Sequence, residues 1–373
     1  MYRVMPTPRR ILVIKLRHIG DVLLTAPVIS TLRAGIPQAT ICAIVRAGTE
    51  SMLEGHPGLD RVLVLPLRRH GESAWSILSR HVRFLMQLRR EKFDLAINMT
   101  EGDRGILLAR WSGARERWGI VKRGKQRSWR AWLLTHSTTP IGGMKHTVLR
   151  NLELIAPLGL PECRDVTLSV DDSDRARVGE ILSRSGSVTG DSFVHCHPTS
   201  RWMFKRWPES QVAPVIDWLQ SRGLRVVLTC APDTAERAMI DAILASCQSR
   251  PIDLGGQLTL KQIAALSSMS RIFIGVDSAP MHMSAAMGTP TLGVFGPSRA
   301  SRWGPWPNGF SGSETPYPGM SGIRTRIPHV VVQDNRPCVP CGRDGCEGTK
   351  RSACLEELAP QIVIAELERM LSA

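Results

Sequence analysis

No stretch of the 373 residues approaches the roughly 20 uninterrupted apolar residues that a membrane-spanning helix needs. The beginning of the chain lacks the pattern of a secretory signal. After Arg9-Arg10 the apolar run from Ile11 to Ile14 is broken by Lys15, and no small-residue cleavage site follows. There is no long internal repeat and no low-complexity tract. The Walker loop and the G-x-G-x-x-G turn are both missing, which excludes the common mononucleotide and dinucleotide fingerprints. No Asp-x-Asp pair is placed to bind a divalent metal. These absences lead to the expectation of a soluble, cytoplasmic protein. Apolar residues make up 43% of the chain, which excludes bulk disorder, and the length favours two domains over one.

Acidic residues are scarce in only one part. Residues 1–150 hold 26 Lys+Arg against 10 Asp+Glu, and the remainder holds 22 against 23, so a net charge of +16 sits beside −1. A basic balance predicts an acidic partner: nucleic acid, an anionic membrane surface or a phosphorylated substrate. Solubilising surface charge is the plainer reading, and confinement to one part of the chain weakens it.

Two segments read as the strand–turn–helix starts of α/β domains. In the first, Ile11-Leu12-Val13-Ile14-Lys15-Leu16 leads through Arg17-His18-Ile19-Gly20 into a helical stretch from Asp21, with Pro27 marking a kink or a late helix start. Strands are expected at 39–45, 61–65 and 95–99, with a helix over 74–91. The second start is Ser192-Phe193-Val194-His195-Cys196-His197, followed by a helix over 209–221 and a strand over 224–229. Helices over 234–245 and 260–268 come next, then strands at 271–276 and 291–295 around a short helix, 279–287. Alternation of this kind predicts parallel sheets covered on both faces. The fold class expected is therefore α/β, with two Rossmann-like domains facing across a cleft. The boundaries expected are 1–175, 190–354 and a C-terminal helix over 355–373 that packs back on the first domain. The polar stretch 170–191 reads as the connection. Ligands of open α/β sheets bind beyond the carboxyl ends of the strands, which directs attention there.

At the first such end, Gly20 permits close approach to the backbone and the Asp21 carboxylate can accept a proton, although Asp is also a favoured helix N-cap. At the next, Pro198-Thr199-Ser200-Arg201-Trp202-Met203-Phe204-Lys205-Arg206 offers hydroxyls and cations suited to a phosphate, unless Lys205 and Arg206 form a solvated surface pair. Gly275-Val276-Asp277-Ser278-Ala279-Pro280-Met281-His282 places a helix start, with Pro280 in its first turn, after a buried strand. Its unused N–H groups suit an anion, and His282 lies one turn further in; capping by Asp277 or Ser278 is the alternative. Region 101–150 interleaves tryptophans with Arg104, Arg123, Arg127 and other cations. Cys338, Cys341, Cys346 and Cys354 form a cluster at spacings that can hold tetrahedral zinc or remain as reduced thiols. The other five cysteines read as small buried hydrophobes.

Together these residues resemble the ADP-heptose lipopolysaccharide heptosyltransferases, glycosyltransferases of the twin-Rossmann (GT-B) type, over nearly the whole chain. The resemblance rests on Val13-Ile14-Lys15-Leu16-Arg17-His18-Ile19-Gly20-Asp21-Val22-Leu23-Leu24-Thr25, on His197-Pro198-Thr199-Ser200-Arg201-Trp202 with Phe204-Lys205, and on residues 273–286. The long versions of these motifs, and the cysteine cluster, look most like the heptosyltransferase III branch. By that resemblance Asp21 is the general base and Lys205 neutralises the donor diphosphate. Thr199, Ser200, Asp277, Ser278, Ala279 and His282 hold donor phosphates and heptose, and Asp233 or Glu236 holds the ribose. Asp277-Ser278-Ala279 departs from an Asp-Thr-Gly pattern, which touches the sugar contacts and not the phosphate site.

Arg17, His18, Arg104, Arg123 and Arg127 are expected at a phosphorylated, lipid-linked acceptor on the cytoplasmic face of the inner membrane, where the protein would be peripheral, with tryptophans anchoring at the interface. The reaction implied is an inverting, metal-independent transfer of heptose from ADP-heptose, with no cofactor beyond a structural zinc at most. Heptosyltransferase I or II, and transfer to a protein, are the nearer alternatives. An inactive family member acting as a scaffold and a nucleic-acid-binding protein are the more distant ones. No recognisable nucleic-acid module is present, and the positive charge ignores the second domain.

Overall fold

The computed structural model describes residues 7–67, 71–121, 129–139, 144–185 and 192–372. They form two compact units, Met1–Gly143 with Thr147–Ser169, and Met144–His146 with Val170–Ala373.

The first unit is built on strands β1 (Arg10–Lys15), β2 (Thr40–Arg46), β3 (Arg61–Leu65), β4 (Leu95–Asn98), β5 (Glu116–Ile120) and β6 (His136–Thr138). All pairings are parallel and the order is β3-β2-β1-β4-β5-β6. Residues Ile11 to Ile14 and Ile41 to Val45 are almost wholly buried, as a central parallel strand covered on both faces demands. Each such side chain contributes roughly 1.5–3 kcal/mol by leaving water. The strand order reverses between β1 and β4, so the connections leaving their carboxyl ends run in opposite directions and leave a crevice.

The second unit repeats the scheme with β7 (Phe193–His197), β8 (Arg225–Leu228), β9 (Ile252–Asp253), β10 (Ile272–Val276), β11 (Thr291–Phe295), β12 (Arg324–Arg326) and β13 (His329–Gln333). The order is β12-β13-β11-β10-β7-β8-β9, parallel except for the edge pair β12 and β13. Its reversal lies between β7 and β10. Those strands pack closely at Gly275, where an added Cβ would stand 2.8 Å from the His197 carbonyl oxygen. Gly275 is thus required for the register at this crevice.

Several expectations need correction. The first helix spans only Ile19–Leu23, and a second one, Ala26–Gly35, starts with Pro27 in its first turn, so Pro27 marks a late start. Region 101–150, read only as tryptophans interleaved with cations, supplies the helix Asp103–Trp111 together with β5 and β6. The stretch 170–191, read as a connection, contains the helix Asp172–Arg184. That helix buries Val178 and Leu182, and Arg175 donates to Ser268 Oγ at 2.7 Å. Polarity on its outer face hid this inner stripe. The C-terminal helix Pro360–Ser372, expected against the first domain, buries Val363 and Leu367 in the core of the second unit beside Val215 and Leu219.

Candidate active site

At the reversal point of the first sheet, β1 ends in Lys15, a cation at the close of an otherwise apolar strand. Its Nζ donates to the Met99 carbonyl at 3.2 Å and lies 3.6 Å from Asp21 Oδ1. Burial holds the Lys15 ammonium below its ordinary range, and the Asp21 charge opposes that effect. The lysine side chain is 7% exposed and that of Asp21 is 18% exposed, so the carboxylate is the member open to a ligand. Asp21 is not a cap: His18 occupies the N-cap position of Ile19–Leu23. The ends of β1 and β4 are tied by Leu16 N donating to Thr100 Oγ1 at 2.7 Å, which fixes the turn leading into the helix that carries Asp21. Arg17 pairs with Glu101 at 3.5 Å near the same strand end, and His18 is exposed.

The second sheet carries the opposite arrangement. Lys205, in the short turn Met203–Lys205 after β7, donates from Nζ to Asp277 Oδ2 at 2.6 Å, at the end of β10. Here the carboxylate is the buried member, 7% exposed against 21% for the lysine. Burial alone would raise the Asp277 carboxyl, but the Lys205 charge and hydrogen bonds from Lys205 and Ser298 hold it below the usual range. Asp277 therefore stays ionised and anchors Lys205, the more exposed member of the pair. Lys205 is no solvated surface residue, and Arg206 is engaged too, donating to the Ser200 carbonyl at 2.7 Å.

Beside this pair, Ser278 is the N-cap of the helix Ala279–Ala286, yet its side chain makes no capping bond and its buried Oγ has no hydrogen-bond partner. Pro280 takes the first turn, Ala279 begins the helix, and His282 is buried one turn on. Unused N–H groups, the positive helix end and an unengaged hydroxyl suit an anion.

Thr199 and Ser200 are buried in the loop after β7. Thr199 Oγ1 donates to Glu236 Oε2 at 2.6 Å, and the Ala231 N–H donates to the same oxygen at 3.2 Å. Asp233 instead caps Thr234–Ser246, accepting from the N–H groups of Ala235 and Glu236. Its carboxylate is thus occupied by the helix, whereas Glu236 is buried against the β7 loop. Sequence reasoning missed the network behind this loop. Thr229 Oγ1 lies 2.8 Å from both His195 Nε2 and His197 Nδ1, and burial pushes the His197 imidazole down to about 3. Two histidines alternating along an apolar strand, facing a threonine one strand over, were its only signal. Lys15 was missed as well, although a lysine ending a buried strand is itself a signal.

Arg104 is exposed on the helix Asp103–Trp111, and Arg123 and Arg127 lie outside the described residues. The basic region is less available than its composition suggests. Arg130 pairs with Asp103, Trp118 is buried, and Arg117 donates to the carbonyls of Leu133, Ala114 and Arg115. The zinc expectation is not supported: among the described residues no group of ligands gathers to hold a metal, and all nine cysteines are without a disulfide. Cys338, Cys341 and Cys346 are exposed, whereas Cys354 is drawn into the core side of Ala353–Glu356, where burial pushes its thiol up to about 12. Cys42, Cys196 and Cys230 are buried as small hydrophobes, and Cys163 and Cys247 are half-buried.

Comparison with known proteins gives a consistent result. The profile of glycosyltransferase family 9 (heptosyltransferase) matches residues 81–316. Lipopolysaccharide heptosyltransferase 3 of Escherichia coli K12 is 34% identical over 293 residues, covering 78% of this chain and 83% of that protein. Among solved structures, the glycosyl transferase family 9 protein of Veillonella parvula superposes with a TM-score of 0.78 at 21% identity, covering 98% of each chain. The E. coli ADP-heptose lps heptosyltransferase II superposes at 0.73 with 19% identity, over 97% of this chain and 98% of that one.

Proposed function

The chain belongs to glycosyltransferase family 9, the heptosyltransferases, and from that premise we propose that it transfers heptose from ADP-heptose to a heptose of the lipopolysaccharide inner core, as a heptosyltransferase III. It is a glycosyltransferase with a fold shared with heptosyltransferases. The names of the E. coli relatives, which specify ADP-heptose and a third lipopolysaccharide heptosyltransferase, support the donor and the acceptor class.

The observation that carries the mechanism is the reversed burial of the two lysine–aspartate pairs. Asp21 accepts the proton of an acceptor hydroxyl, and the resulting oxygen attacks the anomeric carbon of the donor. The bond from that carbon to the diphosphate breaks in the same displacement, ADP leaves with the electron pair, and the configuration inverts. Lys205 and the helix start at Ser278, Ala279 and Pro280 meet the charge that develops on the leaving diphosphate. Asp277 holds Lys205 for that task. Because the cation and helix end are already in place, the transfer needs no divalent metal. His282 and Ser200 complete the phosphate and heptose contacts, and Asp233 or Glu236 takes the ribose. Arg17, His18 and Arg104, with Arg123 and Arg127, belong to the acceptor side. The protein works peripherally at the cytoplasmic face of the inner membrane.

Incubation with ADP-heptose and defined truncated core acceptors tests this reading. Addition of one heptose by mass, a product anomer opposite to that of the donor, and insensitivity to EDTA are expected. Transfer only to protein acceptors, or an activity abolished by EDTA, would contradict it.

A further inference from the structure

The helix Ala74–Arg90 is apolar on two faces, and one of them has no partner among the described residues. Inward, Leu88 is buried and Phe84 and Leu85 pack on the core under β1 and β4. Outward, Trp75, Leu78, Val82 and Met86 recur at spacings of three and four residues, forming one stripe along the helix. Trp75 is 77% exposed, and each of the other three is about half exposed. A shallow groove runs along this stripe, bordered by Arg83 and Arg90. A globular helix ordinarily keeps one apolar face, so four large side chains left in water on the other require an occupant.

Charge identifies it. The helix contains Arg80, Arg83, Arg89 and Arg90 and no acidic residue. Arg80 is held by Glu72 at 2.5 Å and by the Leu67 carbonyl, and Arg89 reaches the Trp111 carbonyl at 3.3 Å. Arg83 and Arg90 stay beside the apolar stripe, on one flank. The neighbouring helix Asp103–Trp111 extends the surface with Leu107 and Trp111, both about half exposed, and the Trp111 indole N–H donates to the Leu85 carbonyl at 2.9 Å. A second copy docking antiparallel through the same face would oppose arginine to arginine, which a self-complementary interface avoids. An anionic leaflet satisfies both halves of the pattern, since acyl chains take the stripe and headgroups take the arginines.

We propose that the outward face of Ala74–Arg90 is a lipid-docking surface that lays the first unit on an anionic bilayer. This moves the membrane contact from the Arg104–Arg130 region, whose cations are partly spent internally, to a helix that the charge count alone did not single out. The inference rests on the reading of the acceptor as lipid-linked.

Sedimentation with vesicles tests it. The full chain is expected to bind vesicles of equal parts phosphatidylglycerol and phosphatidylcholine, and to bind phosphatidylcholine alone far more weakly. Replacing Trp75, Leu78, Val82 and Met86 together by Gln should lower partitioning at least tenfold with the melting temperature retained. Arg83→Gln with Arg90→Gln should remove the preference for phosphatidylglycerol and leave the fold intact even if the first variant misfolds. Equal binding by the wild type and the arginine double variant would overturn the proposal. So would a wild-type dimer that the Gln variant converts to monomer without loss of vesicle binding. Transfer to a deacylated core oligosaccharide should be unchanged in both variants. A chain that sediments as described yet transfers nothing to that soluble acceptor upholds the docking and overturns the activity.

Discussion

The two sheets share one strand order over five parallel strands and each brings a lysine to an aspartate at its reversal point, but with opposite burial. In the first unit the lysine is the more buried partner and Asp21 the more exposed; in the second, Asp277 is the more buried and Lys205 the more exposed. An ion pair at a crevice presents to a ligand the charge of its more exposed member, while the buried member fixes that charge in place. One topology thus presents a carboxylate on one unit and an ammonium on the other, the pair proposed above as base and leaving-group cation. The charge imbalance follows the same division, because the unit proposed to meet an anionic acceptor is the basic one.

The comparison breaks most visibly at its exposed carboxylate. Asp21→Asn should lower turnover by about a thousandfold, the scale of a lost general base, with the first unit still folded by circular dichroism; near-normal turnover would sink the assignment. Lys205→Met should cost about a hundredfold in turnover, and unlike the first variant it should weaken ADP, as read by calorimetry.

Acid should separate the units next. Burial depresses His146 and His197 to about 3, His329 to about 4 and His195 well below its ordinary range, all in the second unit. Among the described residues of the first unit, only His56 is depressed by burial, to about 4. A histidine kept neutral in the fold contributes stability that is complete above its unfolded value of 6.5 and is lost as pH falls from there towards the folded value. The loss is about 1.4 kcal/mol per pH unit for each such group. The second unit should therefore melt first between pH 6.5 and 4, and His197→Asn should flatten its slope. The smallest effect is expected of the hidden cation. Lys15→Met should lower turnover only about tenfold, by loosening Asp21, with ADP affinity unchanged and stability lowered, because Asp21 and the Met99 carbonyl lose their shared partner.

Much of the fold was legible because parallel strands are nearly continuous apolar runs: 61–65 and 291–295 match the observed strands to the residue. The misses have physical causes. The helix Asp172–Arg184 begins among charges and buries only a narrow stripe, so composition disguised it as a connection. Strands β5 and β6 carry Arg117 and His136 into the sheet edge, where half-burial tolerates polar residues and periodicity fades. At the site, the strand ends exposed Asp21, Lys205 and Asp277 to sequence reasoning, because reversal points are where α/β sheets bind ligands. Which partner of a pair would be buried was not legible, since it depends on strands 84 and 72 residues away in the chain, β4 over Lys15 and β10 over Lys205. Nor could spacing reveal that Cys354 is withdrawn from its three neighbours, because that depends on the packing of Leu355 into the second core.

ADP affinity of Asp21→Asn and Lys205→Met, measured side by side by calorimetry on variants that melt like the wild type, tests the account most directly. The account predicts an unchanged dissociation constant for Asp21→Asn and one raised at least about tenfold for Lys205→Met, the scale of a lost charge-assisted contact. Equal weakening in both, or weakening in Asp21→Asn alone, would contradict the assignment of base and cation to separate units.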